Sequence, residues 1–278
     1  MAASNVLDQR IAALPAWIQI TLFFAVWLLL WCPIAIPVAI AIQWRPPQPI
    51  TQLQKLPLVA SLYAIAPLVL WLAAWLTAQP FSVYGLSWDL SFLRSLGMGF
   101  MISLGGLIAL FGCQQLVGWL TWNRDRWPQL KSGLLPTLLL GCWVSLTEEL
   151  IFRGFLLNQL QQDYAAWLAA VLSSLIFALL HLVWEGRTIA PQLPGLWLMG
   201  MVLVLSRWLD QGSLGIACGL HAGWIWGIAS LDTAEIVQYT GRGSEWLIGL
   251  AGKPLAGGIG LLLMLLTGGG LIMAQQLN

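Results

Sequence analysis

Residues 133 to 158 read GLLPTLLLGCWVSLTEELIFRGFLLN, an apolar stretch of membrane-spanning length that contains Glu148, Glu149 and Arg153. A helix crosses a bilayer with about 20 apolar residues. A charge at the centre of such a helix costs about 2.5–3.5 kcal/mol on insertion scales, so charges kept there face a protein-lined cavity and have a task. The rest of the chain decides that this is a membrane setting. Charged residues are 8% of the total, hydrophobic residues 59%, and mean hydropathy is +0.81. Soluble domains carry about 25% charged residues. The chain is therefore expected to be an all-α, polytopic membrane protein, its helices surrounding an intramembrane polar cavity.

Working outward, charge-free runs place about eight transmembrane helices, near 17–42, 57–79, 95–120, 133–158, 166–184, 195–209, 213–230 and 247–275. The last is interrupted by Lys253, Pro254 and glycines, so a broken or re-entrant segment is foreseen there. Loops after odd-numbered spans hold Arg45, Lys55, Arg124, Arg126, Lys131, Arg187, Arg242 and Lys253, against Arg10, Arg94 and Arg207 on the other side. That excess puts both termini on the non-cytoplasmic side. No cleavable signal peptide is expected, because the first apolar run exceeds an h-region of about 7–15 residues. A bacterial-type cytoplasmic membrane, or an internal membrane derived from one, suits such a chain.

Net charge is +1, which excludes a nucleic-acid-binding face. Cys32, Cys113, Cys142 and Cys218 are far apart in apolar runs and read as small buried hydrophobes. Trp17, Trp44, Trp122, Trp184 and Trp246 lie near run ends, where an indole suits the membrane interface. Mid-run Trp71 and Trp143 are assigned to ordinary packing. No internal repeat stands out.

Glu149 and Arg153 are spaced i, i+4 with the acid N-terminal, the better order for an ion pair on one helix face. Glu148 lies about 100 degrees round the helix and has no partner in its own turn. The chain's two histidines, His181 and His221, both fall inside apolar runs. Measured from one membrane side at 1.5 Å per residue, Glu148 lies about 15 Å deep, His181 about 22 Å and His221 about 12 Å. A carboxylate and two imidazoles at similar depth suffice for hydrolysis: a base for water, and donors for the oxyanion. Ser145, Ser173 and Ser174 lack a G-x-S-x-G setting and read as small packing residues. Two other readings use the same cluster. One is a structural network in an inactive scaffold, chaperone or immunity factor. The other is the proton relay of a transporter, which the lack of duplicated spans disfavours.

The set resembles the CAAX protease and bacteriocin-processing family, also called abortive-infection-type proteins, whose eukaryotic branch is the type 2 CAAX prenyl protease. Its Glu-Glu-x-x-x-Arg motif matches Glu148, Glu149 and Arg153, continued by Gly154, and its Phe-x-x-x-His matches Phe177 and His181. Its third motif, a histidine with Asn four residues on, is matched at His221 but meets Ile225. The resemblance divides the chain into N-terminal helices (1–130), a catalytic core (131–230) and a C-terminal helix (231–278). It implies an intramembrane endopeptidase acting on membrane-associated or prenylated peptides, with membrane lipids as surroundings. By the same resemblance Glu148 and His181 activate water and His221 stabilises the oxyanion. Glu149 and Arg153 would support them, with Phe177 packing His181. The departure at Ile225 removes a second oxyanion donor, a loss of about 100 to 1,000-fold where such a donor is used. No cofactor is favoured. If zinc were used, Glu148, His181 and His221 would be its ligands, although no H-E-x-x-H pair is present.

Overall fold

The computed structural model describes residues 14–45, 48, 50–77 and 79–277. Arg10, and most of the N-terminal stretch judged for a signal peptide, lie outside the described residues.

Among the described residues, eight long helical bodies form the fold: α1 (Ala16–Ala41), α2 (Gln52–Leu76), α3 (Leu90–Leu116), α4 (Trp127–Glu149), α6 (Ala166–Glu185), α7 (Leu193–Leu209), α8 (Gly215–Ala234) and α10 (Gly258–Gln276). Helix α4 continues through a π-helical stretch, Leu150–Leu156, into the short α5 (Leu157–Asp163). By length and composition, six continuous stretches among the described residues can cross a membrane, and one of them, Ala166–Leu209, contains both α6 and α7. Helix α8 falls outside those six. It carries glycines, a histidine and Asp232, a composition suited to a helix hemmed in by others: residues 215 to 224 are all buried.

The loops sort to two ends as antiparallel crossings require. Strands β1 (Leu120–Trp122) and β2 (Val237–Tyr239), from the loops after α3 and α8, pair antiparallel with Thr121 opposite Gln238. Lys55 at the start of α2 pairs with Glu185 at the end of α6, at this same end. At the other end the Ala16 amide donates to Asp163 at 2.6 Å. Arg207, at the end of α7, binds the carbonyl of Val83 in the loop after α2 at 3.3 Å.

Packing centres on α8. Gly215, Gly219, Gly223 and Gly227 recur every four residues and so share one face, which lies against the backbone of α3. A Cβ at Gly219 would stand 2.0 Å from the Leu96 carbonyl oxygen, and one at Gly223 1.9 Å from Ser103 Oγ. Small residues let membrane helices approach this closely. The opposite face meets α4: Ser145 Oγ donates to the Cys218 carbonyl at 2.8 Å, and Trp226 Nε1 to that of Leu134 at 2.8 Å. His221 lies two residues from both Gly219 and Gly223, about 200 degrees round, so the glycine stripe turns the imidazole toward α4. Gly219→Val is therefore expected to destabilise the protein by about 1–3 kcal/mol through overpacking. Gly105→Ala, where a Cβ meets open space, is its neutral control. Thermal unfolding in detergent measures both.

Three expectations are corrected. The last span is shorter than 247–275: it starts at Gly258, after the four-residue α9 (Glu245–Ile248) and two 3-10 turns. Gly249 adopts φ +117° there, and a Cβ would fall 2.0 Å from the Lys253 carbonyl oxygen. Of the four cysteines, all free, only Cys218 is buried. Trp71 and Trp143 are half-exposed rather than packed. The reason is common to both: in a bilayer an apolar side chain is content on the outside of the bundle, so apolarity does not report enclosure by protein.

Candidate active site

The charged motif sits where α4 changes its winding. Glu148 and Glu149 end the α-helical part, and the π-helix begins at Leu150. A π-turn interrupts the regular backbone ladder and is common at functional sites. Two carbonyls within this one are taken up by side chains. Ser173 Oγ on α6 donates to Phe152 O at 2.9 Å, and Arg207 Nη1 donates to Arg153 O. Arg207 also donates to Asn158 Oδ1 at 2.8 Å and, through Nε, to Gly212 O at 3.0 Å. A single guanidinium thus clamps the π-turn, α5 and the α7–α8 turn.

Across the start of the turn Glu149 and Arg153 form a fully buried ion pair, Nη1 to Oε1, at 3.1 Å. The guanidinium carbon lies 4.3 Å from the centre of the Phe177 ring, a cation–π contact. Gly200 on α7 makes room for it: a Cβ there would stand 3.1 Å from Arg153 Nη2. Glu149 Oε1 also contacts His221 Nδ1 at 2.8 Å. A carboxylate only accepts, so Nδ1 carries the proton and Nε2 points away from Glu149. That Nε2 lies 3.7 Å from Glu148 Oε2.

Glu148 is 6% exposed. Its Oε1 accepts from the Tyr63 hydroxyl on α2, while Oε2 has no hydrogen-bond partner among the described residues. Residues 130–227, which run from α4 through His221, match the family model described as type II CAAX prenyl endopeptidase Rce1-like. The match covers this segment alone and is a likeness to the CAAX protease family. No curated protein and no solved structure matches the chain. The likeness supports an intramembrane endopeptidase in general, and the six apolar stretches long enough to cross a membrane agree with a multi-pass fold.

The matched segment does not contain the whole constellation. Tyr63 lies outside the match, on an N-terminal helix. Nothing in the sequence reading singled it out, although a tyrosine inside an apolar run was a usable signal, since a buried phenol seeks a partner. Arg207 was likewise counted as a loop charge. His181, on α6, donates from Nδ1 to the Phe177 carbonyl at 2.9 Å, since a carbonyl can only accept. In the neutral ring its Nε2 is then an acceptor. Phe177 packs edge-on against both imidazoles, with ring centres at 4.9 Å for His181 and 6.0 Å for His221. No hydrogen bond among the described residues joins Glu148 directly to His181. The two instead share the wall of one cavity of about 1300 Å³, bounded by α1, α2, α4 and α6 and otherwise largely apolar.

Among the described residues no three His, Cys, Asp or Glu side chains are drawn together closely enough to hold a metal ion. Glu148, His181 and His221, as placed, do not make a ligand set.

Proposed function

We propose that residues 131–230 form the catalytic core of a membrane-embedded endopeptidase that hydrolyses membrane-associated or lipidated peptides. Glu148 would be the general base, working with His181, and His221 would receive the oxyanion. The observation that carries this reading is Glu148 Oε2: buried, unpartnered, 3.7 Å from an imidazole and on the wall of a large apolar cavity.

Water held between Glu148 Oε2 and His181 Nε2 gives a proton to Glu148 as its oxygen bonds to the peptide carbon. The carbonyl electrons move onto oxygen, which accepts a hydrogen bond from His221. Because Nδ1–H is committed to Glu149, His221 offers Nε2–H in its doubly protonated form, with Glu149 as counter-charge. On collapse the C–N bond breaks and Glu148 returns its proton to the leaving amine. Tyr63 holds Oε1, which keeps Oε2 on the reacting side. The apolar cavity walls suit a lipid chain attached to the peptide, and the bilayer, of bacterial type or derived from one, delivers it by lateral diffusion.

The purified chain in lipid nanodiscs is expected to cleave members of a library of prenylated and membrane-tethered peptides. His181→Ala should lower the rate by about 10²-fold or more, and a chelator should leave it unchanged. Cleavage that survives His181→Ala would sink the mechanism, and loss on chelation would transfer it to a metal. Ile225 supports the second reading, an inactive scaffold. It packs toward Gly141 on α4, with Cγ2 3.5 Å from where a Cβ of that glycine would lie, and brings no donor beside His221. A parent protein that cuts nothing in the library selects that reading.

A further inference from the structure

A second cavity, of about 490 Å³, lies at the end of the bundle away from the Lys55–Glu185 pair, among the start of α1, the end of α2, the 3-10 turn Phe81–Tyr84 and α5. Its volume falls in the range of small-molecule sites, about 300–1,000 Å³. None of its described lining residues is charged, and all but Val83 carry a side-chain amide or hydroxyl. Much of this comes from α5, which reads Leu-Asn-Gln-Leu-Gln-Gln-Asp and lines the cavity with all four of its amides. The wall is thus the opposite of the apolar one around Glu148.

Folding takes up only part of this polar surface. Asn158 is committed to the Val83 carbonyl and to Arg207, and Thr77 Oγ1 donates to the Ala73 carbonyl at 2.8 Å. Three groups on residues more than nine-tenths buried stay free. Gln19, 6% exposed, donates from Nε2 to the Leu14 carbonyl at 2.8 Å, and its Oε1 has no partner among the described residues. Gln159, also 6% exposed, accepts at Oε1 from Gln162 Nε2 at 2.9 Å, which leaves its own Nε2 without an acceptor there. Tyr84 packs its ring edge-on against Phe81 and Phe155, and its hydroxyl makes no hydrogen bond among the described residues.

Buried polar groups are ordinarily paired, and here an acceptor, a donor and a hydroxyl of either sense belong to one uncharged wall. A charged ligand would lose its hydration with no counter-charge to replace it. An apolar ligand would strand the three groups. Hydroxyls both donate and accept, so a neutral polyhydroxy ligand meets all of them. Its depth is set by Thr77, which ends α2, and by Gln19, one turn into α1. Trp17 and Trp75, two residues from each, are 59% and 58% exposed, as suits indoles at the headgroup layer.

We propose that this cavity binds a neutral hexose, carried by a glycolipid headgroup or free in solution, and that its interfacial depth favours the lipid-borne form. Neither Glu148 nor the apolar cavity enters the argument, so the site stands or falls apart from hydrolysis.

The full chain is placed in phosphatidylcholine nanodiscs doped with equal small amounts of monogalactosyl diacylglycerol, monoglucosyl diacylglycerol and phosphatidylglycerol, and the lipids it retains are counted by native mass spectrometry. At least one hexosyl lipid is expected to be retained about tenfold over phosphatidylglycerol, the worth of one or two neutral hydrogen bonds. Gln159→Leu should abolish that preference. Gln161→Ala, on an exposed residue whose loss leaves the fold intact, should reduce it about threefold, so the test survives if the buried variant does not fold. The same hexosyl lipid should raise the melting temperature of the parent, by mass action, and not that of Gln159→Leu. Methyl glycosides that bind the parent in sugar-free nanodiscs with the same dependence on Gln159, while hexosyl lipids are not retained, would keep the hexose site and assign it to free sugar. Retention of phosphatidylglycerol equal to that of both hexosyl lipids, with no binding of methyl glycosides, overturns the proposal. So does a hexosyl preference unchanged in Gln159→Leu and Gln161→Ala alike.

Discussion

Glu148→Gln is expected to lower turnover by about 10⁴-fold, the upper end of what a general base contributes, while the protein stays folded. Glutamine keeps the shape of the side chain and an oxygen able to accept from Tyr63, so the tie between α2 and α4 survives. What it removes is the proton acceptor for water and, with it, the donor for the leaving amine. Both chemical steps are affected, hence the large figure. Stability should hold or rise slightly, because one of two adjacent buried carboxylates has been neutralised. Tyr63→Phe completes the series. Losing a hydrogen bond to a charged group is worth about 1.5–3 kcal/mol, and even the lower figure is roughly tenfold in rate. The loss should fall on kcat, since the phenol orients Glu148 and leaves the apolar walls untouched. Single-turnover cleavage in nanodiscs, with melting temperatures alongside, measures the series. A Glu148→Gln protein cutting at the parent rate would end the case for this base.

The Tyr63 contact marks where reading the sequence stopped. Most helices were legible because about 20 apolar residues is a demand of the bilayer itself, but the last begins at Gly258, well inside the run read for it. The Glu149–Arg153 pair was legible because i, i+4 is a local relation. Tyr63 and Glu148 are 85 residues apart, and no periodicity announces that α2 and α4 present these groups to each other. The π-turn at Leu150–Leu156 was equally silent, for two of its carbonyls are met by Ser173 and Arg207 from other helices, partners no local pattern announces. The glycines of α8 were legible but overlooked: four of them at spacing four predict a close helix contact. That contact is what turns His221 toward the carboxylates. The cysteines and the central tryptophans were misread for a physical reason, since lipid and protein interior are alike to an apolar side chain.

Arg153→Leu is expected to be the most destabilising single change in the site, at about 3–5 kcal/mol, the cost of stranding one member of a buried ion pair. Glu149 would keep only His221 as a partner at zero exposure, and Phe177 would lose the cation on its ring face. Leucine also leaves part of the guanidinium's space unfilled beside Gly200. Adding Glu149→Gln to Arg153→Leu should recover much of the lost stability, because the amide oxygen still accepts from His221 while the stranded charge is gone. Activity should not return with it. A neutral glutamine cannot balance a doubly protonated His221, so the oxyanion donor is weakened even in a well-folded protein. Denaturant unfolding in mixed micelles measures the first effect and single-turnover cleavage the second. If the double variant is no more stable than Arg153→Leu alone, the cost lies in packing rather than in charge. If it regains both stability and turnover, Glu149 does not act through His221, and the imidazole is held by its helix alone.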